Sequence, residues 1–185
     1  EYQALKERLQ KPGQPDVDPE VHLNLGRVLS RTGSDSAALE LEKAAESSRA
    51  SAQIRKEAYL LLANLYGKSN NPDSLEKARR AIYQAARLDP QDPAVNLSRA
   101  RILLATESPV DREKAIEVLM ALTATDLDAP TSAQAHNLLG VAYYRNAEYR
   151  RAMSAFDTAI ELDPGLREAY DNQRAAANAY ESNLR

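Results

Sequence analysis

Apolar side chains recur at intervals of three and four residues along most of this chain. That spacing places them on one face of an α-helix, whereas a half-buried strand would alternate apolar and polar side chains. Prolines and glycines interrupt the pattern, and a proline inside a helix would remove a hydrogen bond and clash with the preceding turn. The pattern therefore predicts an all-α fold without strands. The predicted helices cover residues 2–10, 20–32, 35–48, 53–67, 73–88, 93–106, 111–124, 132–146, 148–162 and 167–182.

Four segments share one arrangement of small and large residues: VHLNLGRVL, AYLLLANLY, VNLSRARIL and AHNLLGVAY. Each has a small residue followed three places later by a large one, and the small residues recur about every 37 to 40 residues. The small residues are Gly26, Ala63, Ala100 and Gly140. Two antiparallel helices approach closely only where a small side chain lies at their crossing. The arrangement therefore predicts helix pairs, and these must stack because each pair leaves an apolar face uncovered.

Residues 133–166 resemble the tetratricopeptide repeat, whose unit is a helix pair of about 34 residues. Leu139, Gly140 and Tyr143 match the first helix of that unit, and Pro164 closes it. The resemblance implies a right-handed solenoid of antiparallel two-helix repeats. The implied divisions are an N-terminal helix and linker at 1–18, repeats at about 19–51, 56–90, 93–130 and 133–166, and an end helix at 167–182.

The other repeats depart from the family pattern. In the third repeat, Arg99 stands where the family prefers leucine, and no proline closes the unit. The second and third repeats carry extra residues between their two helices, in GKSNNPDS and TESPVD. The first repeat lacks a closing proline, which leaves its boundary near ESSRAS open.

Stacked repeats of this family form a concave groove lined by the first helix of each pair. Leu23, Leu60 and Leu97 are predicted to form an apolar stripe along that groove, edged by basic side chains. A row of exposed apolar residues is typical of a binding surface, and Leu60 would be its centre. The alternative is that packing within the superhelix, or a neighbouring chain, covers these leucines. The predicted partner-binding residues are Leu23, Arg27, Leu60, Asn64, Leu97, Arg101, Asn137, Val141, Tyr144 and Arg145.

The resemblance implies a non-enzymatic interaction scaffold that docks a peptide or helix of a partner protein, apolar with some acidic character, in the assembly of a larger complex. The alternative is a structural module, which either self-associates into a homo-oligomer or rigidly spaces other domains. Some family members clamp the acidic tails of chaperones, but the corresponding places here hold Leu23, Arg27, Leu61, Ala94 and Ser98, so this clamp is not expected. A likeness of architecture to bacterial envelope proteins favours a periplasmic location, with the cytoplasm as the alternative.

The two histidines occupy the same place in their repeats, since His22 precedes Gly26 and His136 precedes Gly140 by the same interval. They would lie three repeats apart, roughly 30 Å at about one helix diameter of 10 Å per repeat, so they are not expected to share a metal. We interpret both as half-buried packing residues. No catalytic residue, metal site or cofactor is predicted.

Composition excludes several classes of function. The 24 basic and 27 acidic residues are interleaved and give a net charge of −3, which does not favour nucleic acid or a lipid surface as a partner. The lack of cysteine excludes disulfides and thiolate chemistry. No apolar run is long enough to insert into a membrane. Because the chain begins at Glu1 rather than methionine, we expect it to be a processed or trimmed piece.

Overall fold

A computed structural model of the 185-residue chain describes residues 17–69 and 71–184. Within these residues the chain forms nine α-helices and no strand, which confirms the predicted all-α fold. The short helix predicted at 2–10 and most of the predicted linker lie outside the described residues. The helices are α1 (Pro19–Thr32), α2 (Ala37–Glu46), α3 (Ala52–Tyr66), α4 (Pro72–Leu88), α5 (Pro93–Ala105), α6 (Pro109–Thr123), α7 (Ala129–Arg145), α8 (Tyr149–Leu162) and α9 (Arg167–Asn183).

Several helices begin with a polar capping side chain followed directly by proline. At the start of α5, the carboxylate of Asp92 accepts hydrogen bonds from the backbone N–H groups of Ala94 and Val95. Proline is tolerated at the next position because its missing N–H would have no partner within the helix. The prolines that interrupt the apolar pattern therefore mark helix starts, at Pro19, Pro72, Pro93 and Pro109.

The helices stack as pairs in chain order: α1–α2, α3–α4, α5–α6 and α7–α8, with α9 at the end. Each helix packs against its neighbours in the chain, and each first helix also contacts the next first helix. Among the described residues, no two of the second helices α2, α4, α6 and α8 are in contact. A stack whose members touch on one side and spread on the other must curve. The first helices therefore line a concave inner face, and the second helices form the convex outer face.

Small residues allow the two helices of a pair to approach closely. A Cβ atom added to Gly26 would lie 2.6 Å from Cδ2 of Leu41, and one added to Gly140 would lie 2.6 Å from Cδ1 of Phe156. Both of these large side chains are buried. The glycines are therefore required by the helix crossings, as the spacing of small and large residues predicts.

The apolar core divides into two main clusters that meet at α5. The first cluster runs from Leu23 on α1 to Ile102 on α5. The second runs from Leu97 on α5 to Ala176 on α9. α5 thus contributes to the core of both halves of the stack.

Candidate partner-binding surface

The predicted leucine stripe does not lie on the surface. Leu23 is 4% exposed and Leu97 is 6% exposed, and Leu60 is half-buried against the first core cluster. The prediction that Leu23 and Leu97 line an open groove is wrong, because both pack into core clusters formed with the second helix of their pair and with the next first helix. Packing within the superhelix covers Leu23 and Leu97, so the alternative interpretation of the leucines is correct for these two residues.

Polar contacts between successive first helices replace the predicted apolar stripe. Each of these inner polar contacts joins one first helix to the next, and the last joins α7 to α9. They are Arg27 Nη2 to Glu57 Oε2 (2.6 Å), Ser98 Oγ to Asn64 Oδ1 (2.7 Å), Arg101 Nη2 to Gln134 Oε1 (3.2 Å) and Asn172 Nδ2 to Asn137 Oδ1 (3.0 Å). The inner face is therefore polar over much of its length.

The four predicted site residues in these contacts differ in how accessible they are. Arg27, Asn64 and Arg101 are exposed, as predicted. Asn137 is 4% exposed, so its predicted place on an open surface is wrong, because Asn172 of the end helix α9 lies against it. Arg27 is already paired with the carboxylate of Glu57, whereas Arg101 contacts only the neutral amide of Gln134 among the described residues.

A groove of about 800 Å³ lies between the start of α4, the end of α5 and the end of α7, and brings together three of the predicted residues, Arg101, Val141 and Arg145. Half-buried Leu75, Leu138 and Val141 are among its apolar lining residues. Glu168, in the first turn of α9, lies at its border. We call this cavity the inner groove. It offers an apolar patch between charged side chains, an arrangement suited to an extended peptide or a helix.

Arg145 and Tyr144 belong to the last turn of α7 and lie where that helix meets its neighbours. The guanidinium group of Arg145 donates a hydrogen bond to the carbonyl oxygen of Leu104, and Arg112 donates one to the carbonyl oxygen of Arg145. The ring of Tyr144 lies 5.7 Å from that of Tyr149, centroid to centroid. Arg145 is therefore held in place by the protein, and Tyr144 extends the exposed surface beyond the inner groove.

A buried carboxylate lies beside the groove, and the sequence does not indicate its burial. Asp111 is almost fully buried in the first turn of α6, where it accepts hydrogen bonds from Thr106 (2.9 Å) and from Arg79 (3.0 Å). Burial alone would raise the pKa of its carboxyl, but the bond from Thr106 and the charge of Arg79 lower it below the usual value. The motif DREK indicates only a helix start, because the arginine partner comes from α4.

Both histidines are half-buried, as interpreted from the sequence, but His22 also has a polar partner. Nδ1 of His22 lies 2.7 Å from Oε2 of the buried Glu40, whose other oxygen accepts from Lys43 at 2.9 Å. Burial alone would raise the pKa of Glu40, but the hydrogen bonds from Lys43 and His22 lower it. Burial lowers the pKa of His136. Among the described residues there is no group of three or more His, Asp or Glu side chains that could hold a metal ion.

None of the helices within the described ranges combines the length and the apolar composition needed to cross a membrane.

Comparison with known proteins identifies the repeat. The sequence pattern of the tetratricopeptide repeat matches residues 133–166. No curated protein matches the chain. Among solved structures, TTC0263, a thermophilic tetratricopeptide repeat protein of Thermus thermophilus, is 18% identical with a TM-score of 0.64, over 95% of this chain and 88% of that chain.

Two further structures are similar over less of the chain. Residues 41 to the end of MamA from Desulfovibrio magneticus RS-1 are 22% identical, with a TM-score of 0.63 over 89% of this chain and 92% of that chain. The first tetratricopeptide repeat domain of human RPAP3 is 17% identical, with a TM-score of 0.53 over 66% of this chain and 95% of that chain. At these identities the likeness shows the fold, and it confirms the right-handed solenoid of antiparallel helix pairs. The chain carries a tetratricopeptide repeat at residues 133–166 and folds as a tetratricopeptide-repeat solenoid over its described length.

Proposed function

We propose that this protein is a non-enzymatic interaction module that docks a segment of a partner protein in its inner groove. The fold is that of a protein-interaction scaffold. The observation that carries the proposal is Arg101, an exposed arginine without a carboxylate partner among the described residues, in the same groove as the apolar side chains of Leu138 and Val141.

The groove chemistry defines what the partner segment must offer. An apolar side chain of the partner would cover Leu138 and Val141 and gain about 25 cal/mol for each Å² of apolar surface removed from water. A carboxylate of the partner would pair with Arg101. Glu168 at the border of the groove disfavours a second acidic group there and favours a basic or neutral one. These complementary charges would set the direction in which the segment lies.

The docking site is confined to the second half of the stack. Leu23 on α1 is in the core, and Arg27 on α1 is neutralised by Glu57, so the inner side of α1 offers little that a partner could bind. Leu60, placed at the centre of the predicted stripe, packs against the first core cluster. Replacing Leu60 by aspartate is therefore expected to destabilise the protein rather than to remove a binding contact.

The proposal is tested by titrating a partner recovered from the native source against matched variants. Arg101→Glu and Arg27→Glu reverse the same charge at equivalent places of two first helices. We expect Arg101→Glu to weaken binding about tenfold, equal to about 1.4 kcal/mol, and to reduce its salt dependence. Arg27→Glu should change the affinity little, provided that its melting temperature is preserved. Val141→Asp should weaken binding by removing the apolar anchor site.

Two results would contradict the proposal. Unchanged affinity in both Arg101→Glu and Val141→Asp would move the binding site to the outer face or to the loops. A dilution series followed by light scattering tests the alternative of self-association. A tight dimer that is disrupted by Val141→Asp would show that the groove binds a second copy of this chain instead of a partner.

A further inference from the structure

The third helix pair differs from the others at one repeat position. The residue before the small residue of each first helix is a buried leucine in the other three pairs, namely Leu25, Leu62 and Leu139. In α5 this place is taken by Arg99, which is exposed. A long charged side chain cannot fill the apolar gap that a leucine fills, because its guanidinium group must stay in water. The outer face is therefore open at this pair.

A crevice of about 610 Å³ occupies this opening on the outer face. It lies between α4 and α6 and reaches down to α5. Glu76 and Arg79 of α4 line both this crevice and the inner groove, so the two cavities adjoin along α4, whereas Arg99 and Arg101 of α5 each line only one of them. The floor of this crevice is formed by apolar side chains, among them Ile82, Ile102 and Leu103. We call it the outer crevice.

The border of the outer crevice is strongly basic in a protein whose net charge is −3. The charged residues that line it are Arg79, Arg80, Arg87, Arg99, Lys114 and Glu76. Arg80 forms an ion pair with Glu76, and Asp111 forms ion pairs with both Arg79 and Lys114. Arg87 and Arg99 have no ion pair among the described residues. Two positive charges beside the crevice thus lack an internal counter-charge.

An exposed aromatic ring completes the surface. Tyr83 lies on α4 with 63% of its surface accessible and also lines the outer crevice. Burial of an aromatic ring contributes a large apolar area at a small cost in conformational entropy, and arginine and tyrosine concentrate at binding hot spots. Tyr83 is therefore placed to cover an apolar side chain that enters the crevice between the cations.

We propose that the outer crevice is a second docking site, which binds an acidic segment of a partner protein through one apolar or aromatic anchor side chain. The charge of the border selects the acidic residues, and the apolar floor selects the anchor. A nucleic acid fits less well, because its phosphates would meet the cations but would leave the apolar floor without a partner. Variants of α5 distinguish this site from the inner groove, because Arg99 lines only the outer crevice and Arg101 only the inner groove, although Glu76 and Arg79 line both.

The test uses a short acetylated and amidated peptide of glutamates around one central phenylalanine as the probe. Amide chemical shifts of the full chain locate its binding site, and their titration measures the affinity. We expect the shifts to concentrate on the outer parts of α4, α5 and α6. Replacing the glutamates of the peptide by glutamines, or its phenylalanine by serine, should each weaken binding at least about tenfold.

Matched variants of α5 connect the binding to Arg99. Arg99→Leu introduces the residue type of the equivalent places, so it should keep or raise the melting temperature while weakening the peptide about tenfold or more. Arg99→Lys should retain most of the binding. Arg101→Glu should change it less than about twofold, because that side chain lies on the inner face.

Several outcomes would overturn the proposal. One is that the peptide changes amide chemical shifts on the inner face alone. Another is that Arg99→Leu binds the peptide with the affinity of the unmodified protein, and a third is that the glutamine peptide binds as tightly as the glutamate peptide. A thymidine oligonucleotide that binds the crevice more tightly than the peptide would assign the site to nucleic acid. Concentration-dependent shifts at Tyr83 and Arg99 without peptide would assign it to a second copy of the chain. Loss of peptide binding in Arg101→Glu alone would transfer the interaction to the inner groove.

Discussion

At the scale of single residues, the tightest constraint lies where the two helices of a pair cross. Gly140 leaves no room for a side chain, because an added Cβ would lie 2.6 Å from Cδ1 of Phe156, which is itself buried. His136, in the same helix, is only half-buried. His136 is the residue that a chemical function would suggest, but Gly140 is the residue on which the fold depends, because only glycine fits at the helix crossing.

Gly140→Leu is therefore expected to destabilise the protein far more than His136→Ala or His22→Ala. Overpacking a crossing of this kind costs roughly 1–3 kcal/mol or more. His136→Ala only shortens a half-buried side chain, and His22→Ala removes one partner of the buried Glu40 carboxylate, which keeps its hydrogen bond from Lys43. Denaturant unfolding of the three variants measures the difference. Two results would contradict the interpretation of the histidines as packing residues. One is a histidine variant that unfolds as easily as Gly140→Leu. The other is a histidine variant that keeps its fold but loses a binding activity that a metal chelator also abolishes.

A second residue-scale prediction concerns pH. Lys56 on α3 contacts Asp92 at 2.6 Å and Asp89 at 3.0 Å, and so links α3 to the residues before α5. Burial alone would raise the pKa of Asp92, but the hydrogen bonds from Lys56 and from the backbone of Val95 lower it. Because the carboxyl has a lower pKa in the folded than in the unfolded state, its contribution to stability is present above about pH 4 and is lost as the pH falls through the folded value.

Asp92→Asn keeps a side chain that can cap α5 but removes the charge. We expect a loss of about 1 kcal/mol at pH 7, and the difference from the unmodified protein should shrink below about pH 4. Asp89→Asn is the matched control, because the side chain of Asp89 is 42% exposed and that of Asp92 is 18% exposed. Unfolding curves across this pH range measure both. A constant difference at every pH would show that the charge of Asp92 does not contribute.

At the scale of helices, α9 closes the apolar end of the stack. It packs on α7 and α8, and Ala176 joins the second core cluster. Its Asn172 donates a hydrogen bond to the buried side-chain oxygen of Asn137. The end helix therefore supplies a polar partner as well as an apolar cover.

Asn172→Ala should cost about 1–3 kcal/mol, because it leaves the buried oxygen of Asn137 without a partner. Gln134→Ala removes a comparable amide from the contact with Arg101, but on an exposed surface, and should cost little. Thermal unfolding compares the two variants. Equal stability losses would mean that burial of Asn137 does not decide the cost of losing its partner.

The helices themselves could be predicted from the sequence, because their periodicity and their proline starts are local properties. The direction in which each apolar residue points could not be predicted from the sequence. Leu23 and Leu97 are buried in core clusters to which several helices contribute, so their burial depends on tertiary contacts that the local pattern does not show. The contacts of His22 with Glu40 and of Arg79 with Asp111 likewise join different helices, so no local pattern indicates them.

The clearest local departure from the family pattern was Arg99. In the sequence it indicates only a degenerate repeat, because the crevice around it also needs α4 and α6. The inner groove was predicted in part, since Arg101, Val141 and Arg145 do line it. The leucines assigned to it do not line it, because contacts between repeats bury them.

At the scale of the whole molecule, the two core clusters should respond separately to damage. Within the described part of the chain, contacts join neighbouring helices, successive first helices, and α7 with the end helix α9, so stability passes from pair to pair. Gly140→Leu is therefore expected to lower hydrogen-exchange protection in α7, α8 and α9 more than in α1, α2 and α3. Exchange measured under native conditions by mass spectrometry tests this. A uniform loss of protection along the chain would show that the stack unfolds as one cooperative unit.

The same short range of contacts has a consequence for how the protein forms during synthesis. A chain that pairs mainly with its own neighbourhood closes few long loops, and folding of such topologies is fast. Leu23, Leu41 and Ala58 of the first cluster come from α1, α2 and α3, so that cluster can begin to form before α7 has left the ribosome. Until α9 is made, the newest helix pair exposes its apolar face, and α9 is the last part of the described chain to leave the ribosome.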